Sequence, residues 1–188
     1  MKFLFFLTLP FVILSCNDPA SQVHSSQTSL TSEEGLFLDS LVMPVGFHVE
    51  VYGRVDNARS MVMSPDGTLF VGNKANGSVY ALQDRNNDMK ADTLYIIAKD
   101  LIMPNGIAFK DGALYVAEVN KLWRYDAIED RLNDPKATLI YNDLPEDSHH
   151  GWKYIAFGPD GKLYVPVGAP CNVCETKDDT YYASIISM

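Results

Sequence analysis

Two adjacent histidines, His149 and His150, open the stretch H-H-G-W-K-Y-I-A-F-G-P-D-G-K-L-Y-V (149–165). Imidazole titrates near neutrality, so a histidine at a binding mouth could take a proton from a substrate hydroxyl while a cofactor takes the hydride. The neighbouring Glu146 and Asp147 leave a plainer alternative, a solvated loop pair beside two carboxylates. A second candidate is D-R-N-N-D-M-K-A-D (84–92), where Asp84, Asn86, Asp88 and Asp92 occupy positions 1, 3, 5 and 9. Alternating oxygen donors of this kind suit a calcium loop. The sixth position is Met89 rather than Gly and the twelfth is Tyr95 rather than Glu, so a polar turn stays open. Cys171 and Cys174 form the third candidate, C-N-V-C. A c-type haem site needs His after the second Cys, where Glu175 stands, and a zinc site needs two further ligands at short spacing. A local disulfide is the default for the pair, with redox or metal chemistry as the minor reading.

The elements that must position these groups are written in a repeat. Segments 61–72 (M-V-M-S-P-D-G-T-L-F-V-G), 106–117 (G-I-A-F-K-D-G-A-L-Y-V-A) and 155–168 (I-A-F-G-P-D-G-K-L-Y-V-P-V-G) each read strand, Asp-Gly turn, strand. Asp-Gly supplies the positive backbone dihedrals of a tight hairpin. The pairs fall at 66–67, 111–112 and 160–161, giving periods of 45 and 49 residues. Further strands are predicted at 78–83, 93–98, 121–126, 138–142 and 181–188. Four short strands per unit at this period predict an all-β fold, a β-propeller. The segment F-H-V-E-V-Y-G (47–53) reads as an orphan strand that would complete the last blade and close the ring. About two and a half blades cannot close, so the chain is expected to be the N-terminal part of a longer protein. Trp123, Tyr125, Tyr115 and Tyr164 alternate within strands and are expected to pack between blades.

Lys2 and the apolar run 3–14 are too short to span a bilayer and read as an export signal. The run ends in I-L-S-C, which resembles the bacterial lipoprotein cleavage box with Cys16 as the lipidated residue. The expected division is a signal peptide at 1–16, a flexible Ser/Thr/Gln/Asn-rich tether at 17–40, and the propeller at 41–188. Acylation of Cys16 would hold the protein on a membrane face, facing the periplasm or exterior. A net charge of −9 in 188 residues argues against nucleic acid or an anionic surface as partner. A small neutral or cationic ligand or a metal ion fits better. No nucleophile elbow, P-loop or dinucleotide glycine pattern is present.

The stretch 149–175 resembles the glucose/sorbosone dehydrogenase family, closest to its sorbosone branch, over roughly residues 40–188. The resemblance implies an exported six-bladed propeller that oxidises a sugar with pyrroloquinoline quinone (PQQ) and calcium. It also implies a base, since the family's catalytic His lies eight residues before the Gly of G-P-D, and Gly158 points back to His150. Two departures stand out: His149 replaces the family's Asp before that His, and Tyr154 replaces its Arg four residues on. The family's quinone and calcium residues lie in later blades. An Asp-rich loop like 84–92 is common in the family and would hold a structural calcium. The rival resemblance is M-P-N-G-I-A-F (103–109), similar to gluconolactonase-type propellers, where Asn105 would ligate a catalytic calcium; their early E-G-P stretch is missing. As a plainer alternative, Asn105 is a turn residue. A non-catalytic binding propeller is the third reading.

Overall fold

A computed structural model describes residues 36–175 and 181–188, so the expected signal peptide, Cys16 and most of the tether lie outside the described residues. Eleven strands follow in order: β1 (Ala58–Met63), β2 (Leu69–Asn73), β3 (Val79–Gln83), β4 (Thr93–Ala98), β5 (Gly106–Lys110), β6 (Ala113–Ala117), β7 (Leu122–Tyr125), β8 (Ala137–Tyr141), β9 (Ala156–Phe157), β10 (Leu163–Val167) and β11 (Ser184–Ser187). They form three antiparallel sheets in simple meander order, β1-β2-β3-β4, β5-β6-β7-β8 and β9-β10-β11. Each repeat unit is therefore one blade, and the fold is a partial β-propeller. Strand β5 lies against β1 on one side and β9 on the other, so the first strands of the blades converge.

Strand alternation writes the core directly. Within β6, Leu114 and Val116 face blade one, joining Phe70, Val79, Ala81, Ile97, Ile107 and Tyr125. Tyr115 and Ala117 face blade three, beside Leu122, Leu163, Val165 and Val167. Period-two side chains thus give each sheet two apolar faces, as a blade between blades requires. The aromatic residues follow the same rule. Trp123 and Tyr125 pack toward blade one, and Tyr115 meets Phe157 edge-on at 4.9 Å. Tyr164 departs from the expected packing between blades: it lies on the opposite face of β10 from Val165, is 38 % exposed, and donates its hydroxyl to Asp160.

The turns show what one deleted residue does. Blades one and three share a five-residue loop with matching backbone bonds, Ser64 N to Thr68 O and Gly158 N to Lys162 O. Blade two lacks the proline and closes with two residues, Asp111 and Gly112, both at positive φ of 50° and 75°. That is the geometry for which Asp-Gly is favoured.

The expected orphan strand at 47–53 is not a strand. Tyr52 instead offers its carbonyl to Ala91 N at 2.7 Å, and with Val55 it packs on the outer face of blade one against Val71, Tyr80 and Leu82. A strand needs a partner edge; the last blade that this segment is expected to complete is not among the described sheets, and the segment pairs with neither edge of blade one, β1 or β4. Residues 38–40, expected as tether, form a 3₁₀ turn.

Candidate functional site

Because strands alternate in direction, the loops sort into two ends. Loops 74–78, 99–105, 118–121 and 142–155, with residues 168–175 after β10, share the end that carries the histidines. The Asp-Gly turns and loop 84–92 share the other. The candidate calcium loop is therefore separated from His150 by the length of a blade.

At the histidine end, residues 148–151 close a turn through Gly151 N to Ser148 O at 3.1 Å. His150 sits in it with a φ of 53°, a left-handed value that few non-glycine residues adopt without support. Support comes from β10's end: Gly168 lies so close that a Cβ there would fall 2.3 Å from the His150 carbonyl oxygen. The His150 ring places Nδ1 3.1 Å from the Ala169 carbonyl oxygen. A carbonyl only accepts, so Nδ1 carries the proton and Nε2 of the neutral ring keeps its lone pair. That is the tautomer a general base needs. The His149 ring leans on it with centroids 4.0 Å apart. Two residues past Ala169, Cys171 and Cys174 are joined as a disulfide with Cα atoms 5.9 Å apart.

Beneath this turn lies a set of buried polar side chains that sequence reading did not single out, Asn105 excepted: Asn73, Asn105, Glu118 and Lys153. Asn105 is buried, and its amide donates to the Lys153 carbonyl at 2.6 Å, across from blade two to blade three. This bond engages the amide N–H; the Oδ1 that the lactonase-type reading assigns to calcium takes no part in it. Lys153 is 1 % exposed, and its ammonium donates to the Gly151 carbonyl at 2.7 Å. Burial alone pushes its pKa down to about 8. Glu118 receives Trp123 Nε1 at 2.6 Å and the Ile102 amide, which satisfies a buried carboxylate. The signal for Lys153 was present in sequence only as its alignment with Asn105 one blade earlier. On the surface, Lys74 of blade one sets its ammonium 3.9 Å over the Trp152 ring.

At the other end, Asp84, Asn86, Asp88 and Asp92 do gather in one loop, as hydrogen-bond partners. The Asp84 carboxylate accepts Met89 N at 2.8 Å, Asp92 accepts Arg85 N at 2.7 Å, and Asn86 donates to Asp88 and Asp92 at 3.2 Å each. Met89 stands at a φ of 66° where a calcium loop has glycine. Among the described residues, no group of three or more His, Cys, Asp or Glu side chains is arranged to hold a metal ion. A hollow of about 450 Å³ lies near the first two Asp-Gly turns, lined by Asp66, Asp111, Glu129 and Asp130. The described residues thus hold the His150 ring on a supported turn at one end of the blades and the Asp-rich loop at the other.

A family model described as "Domain of unknown function (DUF7133)" matches residues 37–185. An uncharacterized protein of Borreliella burgdorferi is 26 % identical over 163 residues, covering 79 % of this chain and 40 % of that protein. Among solved structures, the holo form of the pyranose dehydrogenase PQQ domain from Coprinopsis cinerea matches with a TM-score of 0.53 at 13 % identity, over 62 % of this chain and 29 % of that one. The calcium structure of a Trichoderma reesei carbohydrate-active enzyme of family AA12 matches with a TM-score of 0.50 at 20 % identity, over 61 % and 30 %. Likeness at these identities is likeness of fold. The chain spans less than half the length of each of these relatives.

Proposed function

The chain belongs to the DUF7133 family, and we propose that it is part of a sugar-oxidising propeller of the PQQ-dependent kind. The substrate class is an aldose or a sorbosone-type sugar aldehyde. The observation that carries the reading is the His150 ring, whose Nδ1 is committed to the Ala169 carbonyl at the end of the blades where the chain enters their inner strands. Its Nε2 would take the proton of a sugar hydroxyl, while the hydrogen on the same carbon leaves with two electrons to an oxidant. The fold likeness to the Coprinopsis PQQ domain supports PQQ as that oxidant, and the likeness to the calcium structure of the AA12 enzyme supports calcium as its companion. The described residues supply the proton step alone; quinone and calcium would be held elsewhere in the propeller. The remaining features of the reading are export, a lipid anchor at Cys16 and an electron acceptor that regenerates the quinone.

The test is a titration of PQQ with and without calcium, read by quinone absorbance. It is run on this chain and on the longer Borreliella relative, followed by reduction of an artificial electron acceptor with aldoses. Binding by the longer protein and dye reduction lost on replacing the equivalent of His150 by Ala support the reading. No quinone binding by either protein overturns it.

A further inference from the structure

The Lys153 ammonium is a poor bargain for stability taken by itself. It is almost fully buried, its hydrogen-bond partner among the described residues is the neutral Gly151 carbonyl, and burial alone pushes its pKa down. A methionine of similar length would fill the same space without desolvating a charge. What only the nitrogen adds is the N–H donated to the Gly151 carbonyl, the peptide next to His150.

The contacts continue in both directions. The Lys153 carbonyl accepts the Asn105 amide, and Lys153 Cβ lies close against Gly106, where an added Cβ would meet it at 3.1 Å. The Asn105 backbone carbonyl in turn lies against Gly72 of blade one, where an added Cβ would sit 2.7 Å away. One chain of close contacts therefore runs from blade one through Asn105 and Lys153 to the left-handed turn holding His150. Gly168 and the Ala169 carbonyl close on that turn from the far side.

We propose that Lys153, braced by Asn105, is a positioning residue for His150: by pinning the Gly151 carbonyl it holds the 148–151 turn so that Nδ1 meets Ala169 and the lone pair of the neutral ring is on Nε2. The importance of this to catalysis rests on the proposed role of His150 as base; the positioning itself does not. Removing either member frees the turn, relaxes His150 from its left-handed backbone, and lets the imidazole exchange between tautomers.

The experiment reads the ring directly, without quinone or sugar. Long-range proton–nitrogen correlation spectra of the labelled chain above pH 7 report which ring nitrogen bears the proton, with His149→Gln and His150→Gln assigning the signals. The parent is expected to show His150 protonated at Nδ1. In Lys153→Met and, independently, Asn105→Ala, that tautomer preference is expected to fall several-fold, with the folded near-UV dichroism retained. A His150 signal unchanged in either folded variant overturns the proposal. So does a parent ring already averaged between tautomers, a result that needs no variant to fold. If the tautomer depends on Lys153 but His150 proves dispensable for dye reduction by the longer relative, the base reading fails and the positioning stands. If His150 is required but its tautomer ignores Lys153, the reverse holds.

Discussion

The two ends of the blades solve the same problem, satisfying polar groups at strand exits, with a different balance of exposed local bonds and buried ones. At the Asp-Gly end many partners are local, with Asp84 serving Met89 and Asp88, Asp92 serving Arg85 and Ser64 serving Thr68, while Thr68 to Glu129 and Lys110 to the Gly161 carbonyl cross between blades. At the histidine end they cross between blades, with Asn105 reaching Lys153 over a separation of 48 residues. Local solutions are written in a few consecutive residues and can be lost one at a time. Crossed solutions are shared, so losing one side chain leaves a buried group unpaired on another blade. The comparison predicts that equal substitutions cost more at the histidine end.

The sharpest test uses glycine. Alanine at Gly168 would set a methyl 2.3 Å from the His150 carbonyl oxygen, a clash with backbone that cannot yield cheaply. Alanine at Gly67 meets nothing within 4 Å and pays only for its φ of 88°. Chemical denaturation is expected to show a loss of about 3 kcal/mol or more for Gly168→Ala, and about 1 kcal/mol for Gly67→Ala. Equal losses would erase the distinction between the ends.

A second pair compares carboxylates. Glu118 is 2 % exposed and accepts two N–H donors, so Glu118→Gln turns one of its acceptors into a donor facing a donor. We expect a loss of about 2–3 kcal/mol, against about 1 kcal/mol or less for Asp84→Asn in its exposed loop. Thermal or urea midpoints measured side by side decide it.

Lys153 gives the histidine end a distinctive response to pH. Below pH 8 the lysine is protonated folded and unfolded, and the full cost of burying it is present. Between about 8 and its ordinary 10.5 the unfolded chain still binds the proton and the folded one does not, so this group makes stability rise with pH. Tyr125 opposes it above pH 10, because burial, with a further contribution from Glu118, pushes its pKa up to about 12 and the unfolded chain ionises first. Urea midpoints in the parent are expected to climb from pH 8 to 10, and in Lys153→Met that climb should flatten. A climb of equal slope in both proteins would mean another group is responsible.

What was legible in the sequence follows the same division. The Asp-Gly pairs and period-two strands announced the blades, because turn chemistry and alternation are local and each blade repeats them. Asp84, Asn86, Asp88 and Asp92 were legible as one loop for the same reason, though their oxygens face N–H donors rather than a shared centre. The segment 47–53 misled because its V-E-V-Y alternation looks like a strand, while Tyr52 and Val55 pack on the face of blade one and no free edge meets them. Lys153 showed only in its alignment with Asn105: a lysine between Trp152 and Tyr154 otherwise reads as surface, and the neighbouring blade's Asn105 and Gly106 make it interior. His150 could be located by its distance from Gly158, but its tautomer depends on Ala169, nineteen residues away.

The smallest effect tests whether crossing between blades is by itself what makes a contact expensive to lose. Lys74 and Trp152 belong to blades one and three and meet across the histidine end, with the ammonium 3.9 Å from the ring centroid. The pair crosses as far as the buried network does, yet both side chains are only partly buried and water can replace either partner. If burial sets the cost, Lys74→Ala should lose about 0.5–1 kcal/mol, the usual value of a partly solvated cation–π contact. Trp152 fluorescence should report loss of the ammonium even where the midpoint scarcely moves. A loss as large as that of Glu118→Gln would mean that inter-blade docking at this end is fragile in general. In that case the cost at Gly168 and Glu118 would belong to blade separation rather than to unpaired buried groups.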